Sequence, residues 1–164
     1  MLTKEELESI AGAVRRVSDK RASGAEALTI VQENRGWISD ELIKEIAGVT
    51  GLTIHELDSI ATFYSQILRR PVGRHVVRIC DGVSCWIRGY VPIREYISKK
   101  LGISFGQTTG NGLFTLLPVS CLGVCETAPS MMIDSTVYGN LTNEKIDRIL
   151  GQYAGKEVKG SGYE

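Results

Sequence analysis

The chain has 164 residues, 43% of them apolar, which suffices for one compact domain or two small ones with buried cores. Lysine plus arginine and aspartate plus glutamate each number 19, with 9 basic against 11 acidic residues before Gly73 and 10 against 8 from Gly73 onward. Neither half has the cationic surplus that nucleic acid demands, so no nucleic acid partner is expected. No apolar stretch approaches the roughly 20 residues that span a bilayer, and the opening Met-Leu-Thr-Lys-Glu-Glu-Leu-Glu has no basic flank followed by an apolar run, so neither direct membrane insertion nor export is expected.

Residues 1–72 are predicted to form a small helical bundle. Thr3 with Glu6, Ser23 with Glu26 and Thr53 with Glu56 each match a capping box, in which the hydroxyl accepts from an early helical N–H and the carboxylate returns to the cap residue's own N–H. Behind these signals apolar residues recur at three- and four-residue steps: Leu7, Ile10, Ala11 and Val14; Ala27, Ile30 and Val31; Leu42, Ile43, Ile46 and Ala47; Leu57, Ile60 and Ala61. Gly36 and Gly51 follow apparent helix ends, Trp37 is expected to plug the bundle, and Pro71 with Gly73 closes this half.

The second half, residues 73–154, changes period. Arg74–Cys80 and Phe114–Val119 are strand-like runs, each leading into a pair of cysteines. Between them Ile93, Ile97 and Leu101 mark a helix ended by Gly102; Pro92 requires either a start near Tyr90 or a kinked helix running from Cys85. Met131–Ile133 and Val137–Leu141 suggest a hairpin, after which Thr142 opens a helix with Ile146, Ile149, Leu150 and Tyr153 on its apolar side. The order β, α, β, β, α makes the second half α/β and the whole chain α+β. Residues 155–164, rich in Gly, Lys and Ser, are expected to be a flexible tail.

The four cysteines of the chain, Cys80, Cys85, Cys121 and Cys125, fall as C-x4-C and C-x3-C separated by 35 residues. Two short thiolate loops suit a [2Fe–2S] centre, which takes two sulfurs per iron. The same spacing admits a four-cysteine zinc site, and the even count admits two disulfides, although nothing here points to an oxidising compartment. Gly82 and Gly123 lie inside the two loops, where small residues let backbone N–H groups approach the sulfurs or simply permit tight turns.

Several segments carry a family resemblance. Ala61-Thr62-Phe63-Tyr64-Ser65, Gly73-Arg74-His75-Val76, Gly106-Gln107-Thr108-Thr109, and above all Leu116-Leu117-Pro118-Val119-Ser120-Cys121-Leu122-Gly123-Val124-Cys125 with Ala128-Pro129 and Met131-Met132-Ile133 are similar to the thioredoxin-like [2Fe–2S] ferredoxin family, in particular to the E subunits of bacterial NADH-quinone oxidoreductase, respiratory complex I. The resemblance implies a thioredoxin-like [2Fe–2S] domain (73–154) with Cys80, Cys85, Cys121 and Cys125 as ligands of one cluster; since such a domain could carry the cluster without residues 1–72, the helical bundle (1–72) is expected to dock a partner. It further implies an electron-transfer role with no catalytic residue in this chain, FMN and NADH bound by the partner F subunit, further peripheral-arm subunits, and a cytoplasmic place on the inner membrane face held through the complex. The alternatives are the equivalent diaphorase subunit of an NAD-dependent hydrogenase or formate dehydrogenase, and a zinc-stabilised adaptor. No G-x-G-x-x-G follows a strand, so nicotinamide is expected to bind elsewhere.

Other residues are read plainly. His55 and His75 are expected on the surface or in the core rather than as iron ligands, Trp86 is expected to shield the cysteines or pack on the sheet, and Met131 and Met132 to fill the core. Asp81 and Glu126 are given no role, and the run of Arg69, Arg70 and Arg74 is read as a solvated boundary.

Overall fold

In a computed structural model describing residues 1–155, the helix-start signals at Thr3 and Thr53 act as their spacing requires. Glu6 N donates to Thr3 Oγ1 at 3.2 Å while Thr3 N donates to Glu6 Oε2 at 2.8 Å, opening α1 (Lys4–Arg16). Thr53 and Glu56 repeat the exchange at 3.2 and 2.9 Å, opening α4 (Ile54–Phe63). Ser23 does not cap. Asp19, one turn earlier, accepts from Arg21 N at 2.9 Å and opens α2 (Lys20–Arg35), because an ionised side chain is the stronger acceptor for the free N–H groups. Ser23 is thereby buried inside the helix, its hydroxyl donating to Lys20 O at 2.6 Å, and Glu26 pairs with Arg16 instead. Ser39 caps α3 (Asp40–Thr50), and Gly36 and Gly51 close α2 and α3 at φ 78° and 68°.

The chain divides into two compact units, Met1–Val72 and Gly73–Glu164. In the first, Ile10, Leu28, Val31, Ile43, Ile46 and Leu57 form the core. The residue that plugs it after Gly36 is Ile38, fully buried, rather than Trp37, which is half-buried. Backbone N–H of Ile38 donates to Leu68 O at 2.8 Å, which turns that side chain inward and leaves its neighbour at the rim. Arg69 is not a solvated boundary residue either: it donates to Asp58, to Asp40 and to the carbonyl of Ile38, at 3.1, 2.7 and 2.6 Å.

In the second unit a four-stranded sheet has the order β2-β1-β3-β4, with β1 (His75–Cys80) parallel to β2 (Phe114–Val119) and antiparallel to β3 (Met131–Ile133), which pairs in turn with β4 (Thr136–Tyr138). The hairpin turns on Asp134 and Ser135 alone, Asp134 at φ 53°, so β4 begins at Thr136 and ends at Tyr138 rather than running to Leu141. The crossover from β1 to β2 contains two helices. The short α5 (Val83–Ile87) ends before Gly89, whose φ of 103° redirects the chain into α6 (Tyr90–Leu101), and this places Pro92 in a first turn where no N–H is needed. After β4 comes α7 (Asn143–Ala154), capped by Thr142. Val77, Ile79, Leu116, Met131 and Ile133 of the sheet share one core with Ile93 and Ile97 of α6 and with Ile146 and Leu150 of α7. The outer edge of β2 is occupied: Thr109 N donates to Phe114 O, Leu116 N to Gln107 O and Gly106 N to Leu116 O, at 2.8, 3.1 and 2.8 Å. The whole is α+β, as the predicted order of elements requires. The expected tail lies outside the described residues except for Gly155, which ends α7.

Glu6 has a second duty besides capping. Its carboxylate is buried and accepts from Arg35 Nε at 3.0 Å and Nη2 at 2.8 Å, and this forked pair holds it far below the usual carboxylate range, at about 2 against 4.5. A folded-state value below the unfolded one adds stability that is complete above the unfolded value and lost as pH falls through the folded one. Urea denaturation followed by circular dichroism is therefore expected to show the helical unit losing stability as pH falls from about 4.5 to about 2. Arg35→Ala, which leaves the buried carboxylate unpaired, is expected to cost about 3 kcal/mol at neutral pH.

Candidate functional site

The cysteines are carried to one end of the sheet by strand pairing. Cys80 is the last residue of β1 and lies in parallel register with Val119, the last residue of β2, so the chain leaving β2 reaches Cys121 two residues beyond Cys80's partner. Asp81 N donates to Val119 O at 3.0 Å, extending the ladder into the first loop. Gly82 then starts α5, which carries Cys85 on its buried side. Cys125 begins a single 3-10 turn, Cys125–Thr127, that leads through a cis Ala128–Pro129 bond to β3.

The two pairs differ in setting. Cys80 and Cys85 are buried in the core, whereas Cys121 and Cys125 are exposed, and none of the four is in a disulfide. Burial pushes the Cys85 thiol up, since desolvation disfavours the thiolate; the Ser130 hydroxyl, 3.4 Å from Cys85 Sγ, acts in the opposite direction. In the second loop Gly123, at φ 76°, turns its N–H onto Cys121 Sγ at 3.3 Å. Arg88 Nη1, just past α5, donates to Glu126 O at 3.1 Å and ties the first loop to the turn of the second. Among the described residues no three His, Cys, Asp or Glu side chains stand together closely enough to hold a single metal ion.

Gly82 is required for a reason of space. A Cβ there would stand 2.8 Å from Ser120 O and 3.6 Å from Cys80 Sγ, so only glycine lets the first loop lie against the second. Beside it, Val83, Trp86 and Ile87 project from α5 with more than half of each exposed. Trp86 therefore does not pack on the sheet; its ring leans on Tyr90 at 5.5 Å.

The histidines stand apart from the thiols. His75 begins the strand that Cys80 ends, about 16 Å away at strand rise, with Nδ1 2.7 Å from Asp134 Oδ2. His55 is exposed on α4. Met131 and Met132 are both buried in β3, as filler. The residue that sequence reasoning passes over is Ser130. Its hydroxyl reaches Cys85 and its carbonyl accepts from Cys80 N at 3.1 Å, so one buried residue touches both members of the first pair. The contact spans 45 positions, and the signal for it is only adjacency to Ala128-Pro129 and Met131-Met132.

Gly82→Ala is expected to destabilise the cysteine domain by about 1–3 kcal/mol, because the added methyl meets a backbone carbonyl that cannot turn aside. Thermal denaturation beside Gly73→Ala, whose Cβ meets Gly112 O at 2.9 Å, and Gly12→Ala, which meets nothing within 4 Å, checks it: the first two lose stability and the last does not.

Known proteins resemble the chain over most of its length. Residues 10–154 match the thioredoxin-like [2Fe-2S] ferredoxin family. The E subunit of NADH-quinone oxidoreductase from Escherichia coli K12 is 49% identical over 152 residues, covering 93% of this chain and 92% of that protein. The E subunit from Pseudomonas aeruginosa PAO1 is 44% identical over 153 residues, with the same coverage of 93% and 92%. Among solved structures, an NAD+-reducing [NiFe]-hydrogenase in the H2-reduced state superposes on 80% of this chain with a TM-score of 0.67 at 19% identity, a likeness of fold in which this chain spans 22% of that one. The chain belongs to the thioredoxin-like [2Fe-2S] ferredoxin family, in the branch of the NADH-quinone oxidoreductase E subunits.

Proposed function

We propose that the chain is the electron-transfer subunit of an NADH-quinone oxidoreductase and that Cys80, Cys85, Cys121 and Cys125 hold its one [2Fe–2S] cluster. The observation that carries this reading is that the chain's four thiols are delivered, two per loop, to the same end of a parallel strand pair. The residues fit the group in kind: four uncommitted sulfurs, one already receiving a backbone N–H from Gly123, and a glycine where the loops touch. Such a cluster, when bound, supplies a one-electron acceptor. The part of this chain is to hold it, to keep water from the Cys80 and Cys85 side by burial, and to present the Cys121 and Cys125 side outward.

The donor in this reading is FMN of a separate NADH-binding protein, the F subunit of the same complex, with other peripheral-arm subunits beyond it. Two exposed apolar groups support docking to such a partner. One is Val83, Trp86 and Ile87 beside Cys85; the other, in the helical unit, is Phe63 and Tyr64, stacked edge-on at 5.1 Å and exposed at the end of α4. Among the described residues no helix is long and apolar enough to cross a membrane, so attachment at the inner face would come through partners.

Anaerobically purified protein is expected to be red-brown, to carry two irons and two acid-labile sulfides per chain, and to give a spin-half EPR signal on reduction. Stoichiometric zinc and no visible absorption after reconstitution with iron and sulfide would end this reading. Alanine at any one of Cys80, Cys85, Cys121 or Cys125 is expected to lose or strongly destabilise the cluster, while the circular dichroism of the helical unit persists. Calorimetric titration of the isolated chain with NADH is expected to show no binding, and co-expression with the FMN-binding partner a stable complex; micromolar NADH affinity of the chain alone would overturn the division of labour.

A further inference from the structure

Ser130 is fully buried, and its polar atoms are aimed at the first cysteine pair: Oγ lies 3.4 Å from Cys85 Sγ, and O accepts from Cys80 N at 3.1 Å. Between a thiol and a hydroxyl either Oγ or Sγ can be the donor, because each carries one proton. Coordination removes that ambiguity. A ligating cysteine is a thiolate with no proton, so it only accepts, and the hydroxyl beside it must donate. The contact lies on the dry side of the site, where a single donor counts most.

We infer that Ser130 is a positioning and tuning residue for electron acceptance: its Oγ–H donates to the Cys85 thiolate and raises the reduction potential of the bound cluster. This rests on the proposed function, in which Cys85 is a ligand. One-electron reduction places additional negative charge on the sulfurs, and a donor aimed at one of them stabilises the reduced state more than the oxidised one. The hydroxyl proton stays on Oγ, and no bond at Ser130 is made or broken. The serine backbone contributes separately, since its carbonyl fixes Cys80 N whatever the side chain, so substitution of Oγ tests the hydroxyl with the strand pairing left in place.

The test is an EPR-monitored redox titration of the full-length cluster-loaded chain, comparing wild type with Ser130→Ala, Ser130→Thr and Ser130→Val. Thr and Val have the same shape and differ only in the hydroxyl, so any effect of bulk in the buried site is common to both. The expected result is a lower midpoint potential in Ala and Val than in their hydroxyl-bearing counterparts, wild type and Thr, at equal iron content. Loss of the cluster in Ala and Val but not Thr also supports the inference. Thr and Val titrating together, or Ala matching wild type, would overturn it and leave Ser130 a packing residue; should the added bulk keep Thr and Val alike from loading, Ala against wild type decides by the same criterion. A wild-type chain with no iron–sulfur signal would instead remove the proposed function, so the two failures are distinct.

Discussion

The parallel pairing of β1 with β2 is the constraint on which the cysteine site depends. Because Cys80 stands opposite Val119, both chain exits fall at one sheet end, and the crossover through α5 and α6 must run back to the opposite end to enter β2. A one-residue slip would turn Leu116 out of the core and carry Cys121 away from Cys80 together. The antiparallel partner on the other side, β3, then brings Ser130 up against both members of the first pair. Three strands that are distant in sequence thus meet at the cysteine loops.

That geometry also sorts the sulfurs by environment. Cys80 and Cys85 are part of the apolar core that α6 and α7 complete, and Cys121 and Cys125 sit on loops in contact with water. A cluster held by these four thiols, as proposed, would meet a dry pair beside the Ser130 hydroxyl and a solvent-facing pair that has the backbone N–H of Gly123 as a local donor. The helical unit is built on different means, a stripe-packed bundle locked by the Glu6–Arg35 fork, with no cysteine of its own.

Much of the fold is legible because its signals are local. Thr3 with Glu6 and Thr53 with Glu56 define helix starts within four residues, and the strand-like runs before Cys80 and Cys121 announce strands that end on the first of these cysteines and two residues short of the other. Ser23 with Glu26 matches the same capping pattern and misleads, since a pattern cannot show that Asp19 already serves the free N–H groups a turn earlier. The choice between Trp37 and Ile38 depends on a hydrogen bond to Leu68, about thirty positions away, and size alone points to the wrong residue. Arg69 looks like a surface cation until Asp40 and Asp58 fold onto it. At the site, the four cysteines and Gly82 are legible by type and spacing, while Ser130 is not, because its role exists only once β3 lies beside β1.

The closed edge of β2 bears on how the chain meets other copies of itself. An open strand edge is a template for another copy, and one that lay next to reactive thiols would invite self-association. Here the residues of β2 that point their backbone groups outward are Phe114, Leu116 and Pro118; the 106–109 segment takes up the first two, and the third has no N–H to offer. The opposite edge, β4, is three residues long. Neither side gives an incoming strand more than a foothold, so edge-to-edge strand addition, one route by which sheet proteins self-associate, finds little purchase on this domain.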